Sequence, residues 1–160
     1  MREIQLAFEA EGIKTEIMTF RGKRVMIDRD LAKWYDIEIR VLNRAVKRST
    51  ERFPVDFMFQ LTQEEKQELV TNCDRFASLK HSSSRPYAFT DLGVAMLSFV
   101  LRSDTAVKMS INIIEAFFNM RRFLKENPQV CSKLSDLERQ QLKIDENFEK
   151  VLDALDSCSV

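Results

Sequence analysis

Glycine, proline and histidine are nearly missing from this chain of 160 residues: there are three glycines, three prolines and one histidine. With only Gly12, Gly22 and Gly93, no glycine-rich loop can wrap backbone N–H groups around a nucleotide phosphate. His81 stands alone, so there is no histidine pair for a metal and no HExxH helix. Cys73, Cys131 and Cys158 are odd in number and widely spaced, which excludes a disulfide framework and a CxxC zinc site. Cys73 with His81 could form a thiol–imidazole pair, but no motif supplies an oxyanion hole or an orienting third group. Long apolar runs are lacking too. Leu92 to Leu101 comes nearest, contains Gly93 and Ser98, and is too short to span a bilayer, while the amino terminus lacks the charged-then-apolar order of a secretory signal. The expectation from these absences is a cytoplasmic protein that is not an enzyme, carries no cofactor or metal and does not enter a membrane.

What is present suits a soluble globular domain: 44% apolar and 31% charged residues, with twelve phenylalanines to fill a core. Lys plus Arg equals Asp plus Glu, at 25 each, but the zero net charge hides a gradient. From Lys23 to Arg52 nine basic residues face five acidic ones, and from Cys131 to Val160 four basic face seven acidic. The basic excess therefore falls on one segment, where it can attract a polyanion locally.

That segment, Asp28 to Arg52, reads as two short helices about a tight break at Asp36-Ile37. Asp28 or Asp30 can cap the first, in which Leu31, Trp34 and Tyr35 share an apolar face. In the second, at 100° per residue, Arg40, Asn43, Arg44, Lys47 and Arg48 fall in one arc, and Ile39, Val41, Leu42, Ala45 and Val46 fill the other. A solvated helix face usually mixes signs, whereas every residue of this arc is a hydrogen-bond donor. The outline is that of a helix-turn-helix, whose second helix enters the DNA major groove. Arg and Asn can each bond two acceptors on a purine edge, so Arg40, Asn43, Arg44 and Lys47 are candidates for reading bases, with Arg48 and Arg52 as phosphate clamps.

Around this motif the pattern predicts a hairpin of Ile17–Phe20 and Val25–Ile27 about Arg21-Gly22-Lys23. Pro54 closes the exit of the second helix. A strand over Phe57–Leu61 is followed by a capping box, Thr62 to Glu65, and its helix. Thr71 to Pro86 has no sustained period and reads as a surface loop or ragged hairpin; its basic tip, Lys80, His81 and Arg85, serves either as a plain connection or as a wing reaching phosphates. Tyr87–Phe89 returns as a strand, and Thr90 caps a helix through Leu101. A long helix runs from Asp104 to about Glu126, with one polar stripe of Lys108, Asn112, Glu115, Asn119 and Arg122 on an apolar cylinder, as expected of a pillar wrapped by neighbours or of a dimer face. The carboxylates Asp28, Asp30, Asp56 and Asp91 could gather round magnesium, yet each has a cap or turn explanation. Beyond Asn127-Pro128, the residues Leu134, Leu137, Gln141, Ile144, Phe148, Val151 and Leu155 recur at alternating spacings of three and four, the seam of a coiled coil. A seam this short either pairs two protomers or folds back on its own domain.

The run Arg24-Val25-Met26-Ile27-Asp28-Arg29-Asp30-Leu31-Ala32, with Leu42-Asn43, Val46-Lys47-Arg48, Arg52-Phe53-Pro54 and Asp56-Phe57-Met58-Phe59-Gln60-Leu61-Thr62, resembles the ORF-six-N type of the KilA-N DNA-binding superfamily. Pro86-Tyr87-Ala88-Phe89-Thr90, Gly93-Val94-Ala95-Met96-Leu97 and Val100-Leu101-Arg102-Ser103 resemble its second block. The resemblance implies a DNA-binding domain of the kind found in bacterial and phage proteins. Asp36 stands where that family commonly has glycine, and an aspartate can take the left-handed conformation at modest cost.

Taken together, the sequence predicts a helix-rich α+β fold with short β-hairpins or a small antiparallel sheet. A DNA-binding domain is expected over residues 12–126, and a heptad helix over 131–157 for dimerisation or fold-back. The expected partners are double-stranded DNA and a second copy of the chain. The alternative is an antirepressor-like adaptor that holds a protein partner through the tail.

Overall fold

A computed structural model of the protein describes residues 11–129. The chain divides into two units between Asn119 and Met120, and among the described residues the second holds only the end of the last long helix and the short stretch after it. The heptad positions Leu134 to Leu155 lie outside the described residues.

Residues 11–16 are helical (α1) and lead into a hairpin of β1 (Met18–Phe20) and β2 (Lys23–Ile27). Its connection is shorter than the expected Arg21-Gly22-Lys23. Phe20 pairs with Lys23, leaving Arg21 and Gly22, both at positive φ (55° and 72°), as a two-residue turn whose twist matches that of the strands. Arg21 is held there by Glu65, through Nε–Oε2 at 3.1 Å and Nη2–Oε1 at 2.8 Å. Then follow α2 (Asp28–Tyr35), α3 (Ile39–Arg48), a 3₁₀ turn (Thr50–Arg52), β3 (Met58–Gln60), α4 (Gln63–Asn72), a 3₁₀ helix (Asp74–His81), β4 (Tyr87–Phe89), α5 (Asp91–Leu101) and α6 (Asp104–Glu126). The fold is α+β, with one antiparallel sheet in the order β1-β2-β4-β3.

The sheet is apolar on both faces and separates two cores, because the period of two along a strand sends neighbours to opposite sides. Val25, Ile27, Phe59 and Ala88 meet Leu69 of α4 and Phe76 and Leu79 of the 3₁₀ helix. Met26 and Phe89 instead meet α2, α3, α5 and α6 through Leu31, Leu42, Leu97 and Phe117. Thr71–Pro86 is thus not a polar loop: Phe76 and Leu79 bury themselves under the sheet, and the buried Lys66 donates its Nζ to the carbonyl of Ser82. A 3₁₀ helix has a period of three, and two apolar residues three apart suffice to anchor it, too few to register as periodicity.

The two ends of α2 differ from expectation in one respect. The residue before the helix is Ile27, which has no side-chain cap, and the carboxylates of Asp28 and Asp30 go elsewhere. Asp28 accepts from the N–H of Arg29 at 2.8 Å and of Tyr87 at 3.2 Å, and so ties the helix start to β4. Asp30 is clamped by Arg75, Nε–Oδ1 3.2 Å and Nη2–Oδ2 3.1 Å, which ties α2 to the 3₁₀ helix. Asp56 pairs with Lys23 and Asp91 accepts from its neighbour's N–H, so the four carboxylates serve separate partners. The Thr62–Glu65 capping box of α4 and the Thr90 cap of α5 are formed as expected.

Helix α6 is less enclosed than its apolar composition implies. Ala106, Ser110, Ile113, Ala116 and Phe117 are buried, with the Ser110 hydroxyl 2.7 Å from that of Tyr35, whereas Val107, Ile111 and Phe118 are 42%, 51% and 60% exposed. A helix resting on one layer covers only one arc of its surface, and no further layer among the described residues covers the other.

Candidate nucleic-acid interface

Helix α2 ends because Asp36 turns left-handed (φ 56°, ψ 47°). The N–H of Ile37 then reaches back to the carbonyl of Ala32 at 3.0 Å and that of Asp36 to Lys33 at 3.2 Å, the paired bonds of a Schellman end. Ile37 packs into the same core as Ala32, so the turn has the apolar contact that usually accompanies this motif. The chain leaves it in extended geometry at Glu38 and starts α3 within two residues.

α3 is held by a narrow face. Leu42 and Val46 are its buried residues, while Val41, expected in the core, is 49% exposed. The outward arc is correspondingly wide, and at 100° per residue Arg44 stands near its middle, with Arg40 and Lys47 on one side and Arg48 and Val41 on the other. Arg44, Lys47 and Arg48 are exposed and make no ion pair or side-chain hydrogen bond among the described residues. Arg40 reaches Glu38 at 3.0 Å, a pair 79% and 70% exposed, which water screens so well that a stronger anion can displace it.

Asn43 has a different position from its companions in the sequence pattern. It is half-buried on the flank of α3, where its side chain is near enough to the Asp28 carboxylate to favour the charged form. Burial pushes the Asp28 carboxyl up to about 6, against the opposing hydrogen bonds from Tyr87 and Arg29 and the neighbouring Asn43 amide.

Arg52 closes the 3₁₀ turn after α3, exposed and again without a partner among the described residues. Lys80 and Arg85 belong to the other side of the architecture. Lys80 lies on the 3₁₀ helix under the opposite face of the sheet, and Arg85 faces Gln60 of the edge strand at 3.4 Å. No hydrogen bond or ion pair links either to α3 among the described residues.

Two features next to α3 escaped the sequence pattern. Val41 is an apolar group set among cations, suited to a thymine methyl, and only its residual exposure reveals it. Beyond the end of α3, the residues Ala45, Arg48, Ser49 and Arg52 meet Phe99, Val100 and Arg102 of the α5–α6 junction around a cleft of about 310 Å³. Arg102 is some fifty residues away in sequence, and no local spacing could place it there.

A family model described as the ORF6N domain matches residues 15–100, which include both helices of the turn, the whole sheet and nearly all of α5. No curated protein and no solved structure matches the chain significantly.

Proposed function

The chain belongs to the ORF6N domain family, and from that premise we propose that it is a DNA-binding protein of the wider KilA-N type, acting as a transcriptional regulator derived from a phage or mobile element. The observation that carries this reading is the outward arc of α3. Among the described residues Arg44, Lys47 and Arg48 are exposed and unpaired, on a helix that follows the Schellman end of α2. A folded chain gains little from three adjacent unpaired cations, since like charges repel, whereas a duplex supplies phosphates to all of them. In this role Arg44 and Arg40 address base edges, Lys47 lies beside them, Arg48 and Arg52 hold phosphates, and Asn43 favours the charged form of Asp28 in addition to any base contact. The heptad tail brings two such helices to successive half-sites. The arc carries cations and no carboxylate, thiol or imidazole, which favours this reading over catalysis.

Arg44→Ala is expected to weaken a selected cognate duplex by about 1 to 3 kcal/mol and to relax base preference at one position. Arg48→Ala should weaken all sequences about equally. The decisive experiment is binding of the full-length protein to random duplex DNA across a salt series, beside the triple change of Arg40, Arg44 and Lys47 to alanine. Support is a steep log–log slope that flattens in the triple variant, because on non-cognate duplex these three cations meet phosphates instead of their base edges. If neither protein binds, the arc faces a protein partner, and the adaptor reading that the acidic tail favours replaces this one.

A further inference from the structure

The cleft at the end of α3 has a composition that its packing role does not require. Arg48, Arg52 and Arg102 line it with Ser49 and Phe99, and no carboxylate is among the lining residues. None of the three arginines has an ion pair or side-chain hydrogen bond among the described residues. Two helices, α3 and α5, end beside the cleft, and their last carbonyls offer negative charge. Each terminus carries only about half an elementary charge, so two of them offset roughly one of the three guanidinium charges. The cleft therefore keeps a net positive charge of about two, with Ser49 as a neutral hydrogen-bonding group. Phe99, 67% exposed, adds an apolar wall that burial in the core does not explain. Arg102 itself follows α5 at φ 50° and ψ 36°, a left-handed position where glycine or asparagine would be less strained.

From this geometry we infer that the cleft is a phosphate site: Arg48, Arg52 and Arg102 together hold one phosphate group of a DNA backbone, with Phe99 against the adjoining sugar. The inference rests on the DNA-binding reading and extends its interface from α3 to the α5–α6 junction, beyond the residues that the family model matches. Arg102 would then act as a second-element clamp that fixes how far α3 sits along the groove, since a contact from a separate element resists rotation about the helix axis.

The test uses the full chain and random duplex DNA in a salt series. Asparagine tolerates the left-handed backbone, so Arg102→Asn removes the charge without adding strain. It should lower affinity equally on all sequences and reduce the log–log salt slope, by less than the roughly 0.9 of a whole phosphate because Arg48 and Arg52 remain. Arg102→Lys should restore the slope, and Phe99→Ala should lower affinity with the slope unchanged. Thermal melts of each variant, matching the parent, exclude loss of fold as the cause. If the parent binds duplex and Arg102→Asn matches it in slope and affinity, the inference fails while the DNA reading stands. If the parent binds no duplex, the DNA reading fails, and titration with inorganic phosphate decides the cleft. Saturable binding lost in Arg102→Asn keeps it as an anion site for a free phosphate; no binding overturns it.

Discussion

Replacing Gly93 by alanine is expected to destabilise the fold by about 3 kcal/mol or more, although the same change on an exposed helix would gain about 1 kcal/mol from helix propensity. A Cβ at this position would stand 2.1 Å from the carbonyl oxygen of Phe57 and 3.0 Å from its carbon. The contact is with backbone, so no rotamer change relieves it. Nor can the carbonyl retreat. It accepts the N–H of Thr90 at 3.0 Å, while the Thr90 hydroxyl holds the neighbouring carbonyl of Asp56 at 2.7 Å and caps α5. Moving α5 away would open the core around Val94 and Leu97, both fully buried. Urea unfolding should show the loss, with a fall in Tm of roughly 10 °C. Near-parental stability would mean that α5 does not press on the β3 segment as described.

The second large effect is on pH dependence and comes from Asp28. Burial raises its pKa from the ordinary 3.8 to about 6. The folded protein therefore holds a proton that the unfolded chain has already released, throughout the interval between those values. Stability from this group is fully present below the unfolded value and is lost as pH rises through the folded one. A shift of about two pKa units corresponds to about 3 kcal/mol lost between roughly pH 4 and 7. Glu16 and Asp30 are raised in the same direction and Glu65 is lowered, so the raw profile mixes several groups. The difference between the parent and Asp28→Asn isolates the one of interest, and it should change across the interval between the unfolded and folded values, with its midpoint about halfway between them. Asn43→Ala removes a neighbouring amide that favours the carboxylate and should move that midpoint upward. A midpoint that stays in place would detach Asn43 from Asp28 and return it to the open surface of α3.

Much of the fold is legible in the sequence. Both helices of the turn, the hairpin, the capped starts of α4 and α5 and the extent of α6 follow from local rules: an apolar period, a capping residue, a residue able to turn left-handed. Asp36 shows how local these rules are, since an aspartate takes the left-handed conformation that ends α2 at modest cost. The arc of Arg40, Arg44, Lys47 and Arg48 belongs to this legible class, because a helix fixes which residues share a face before anything packs on it.

What a local rule cannot supply is the identity of the neighbour. Phe76 and Leu79 turned an apparent loop into a second covering of the sheet because the face of Val25, Ile27 and Phe59 needed one. Asp28 and Asp30 became ties to Tyr87 and Arg75 instead of caps, since those partners are distant in sequence. Val41 stayed outside the core, and Asn43 moved from the reading face to its flank, because the core contact of α3 proved narrower than its apolar arc. Arg102 and Phe99 came to the end of α3 only through the crossing of α5. By itself the sequence determined the helix faces, the turn and the family to which they belong. The tertiary structure alone decided which of those faces remain open, because burial depends on contacts between segments that no spacing along the chain records.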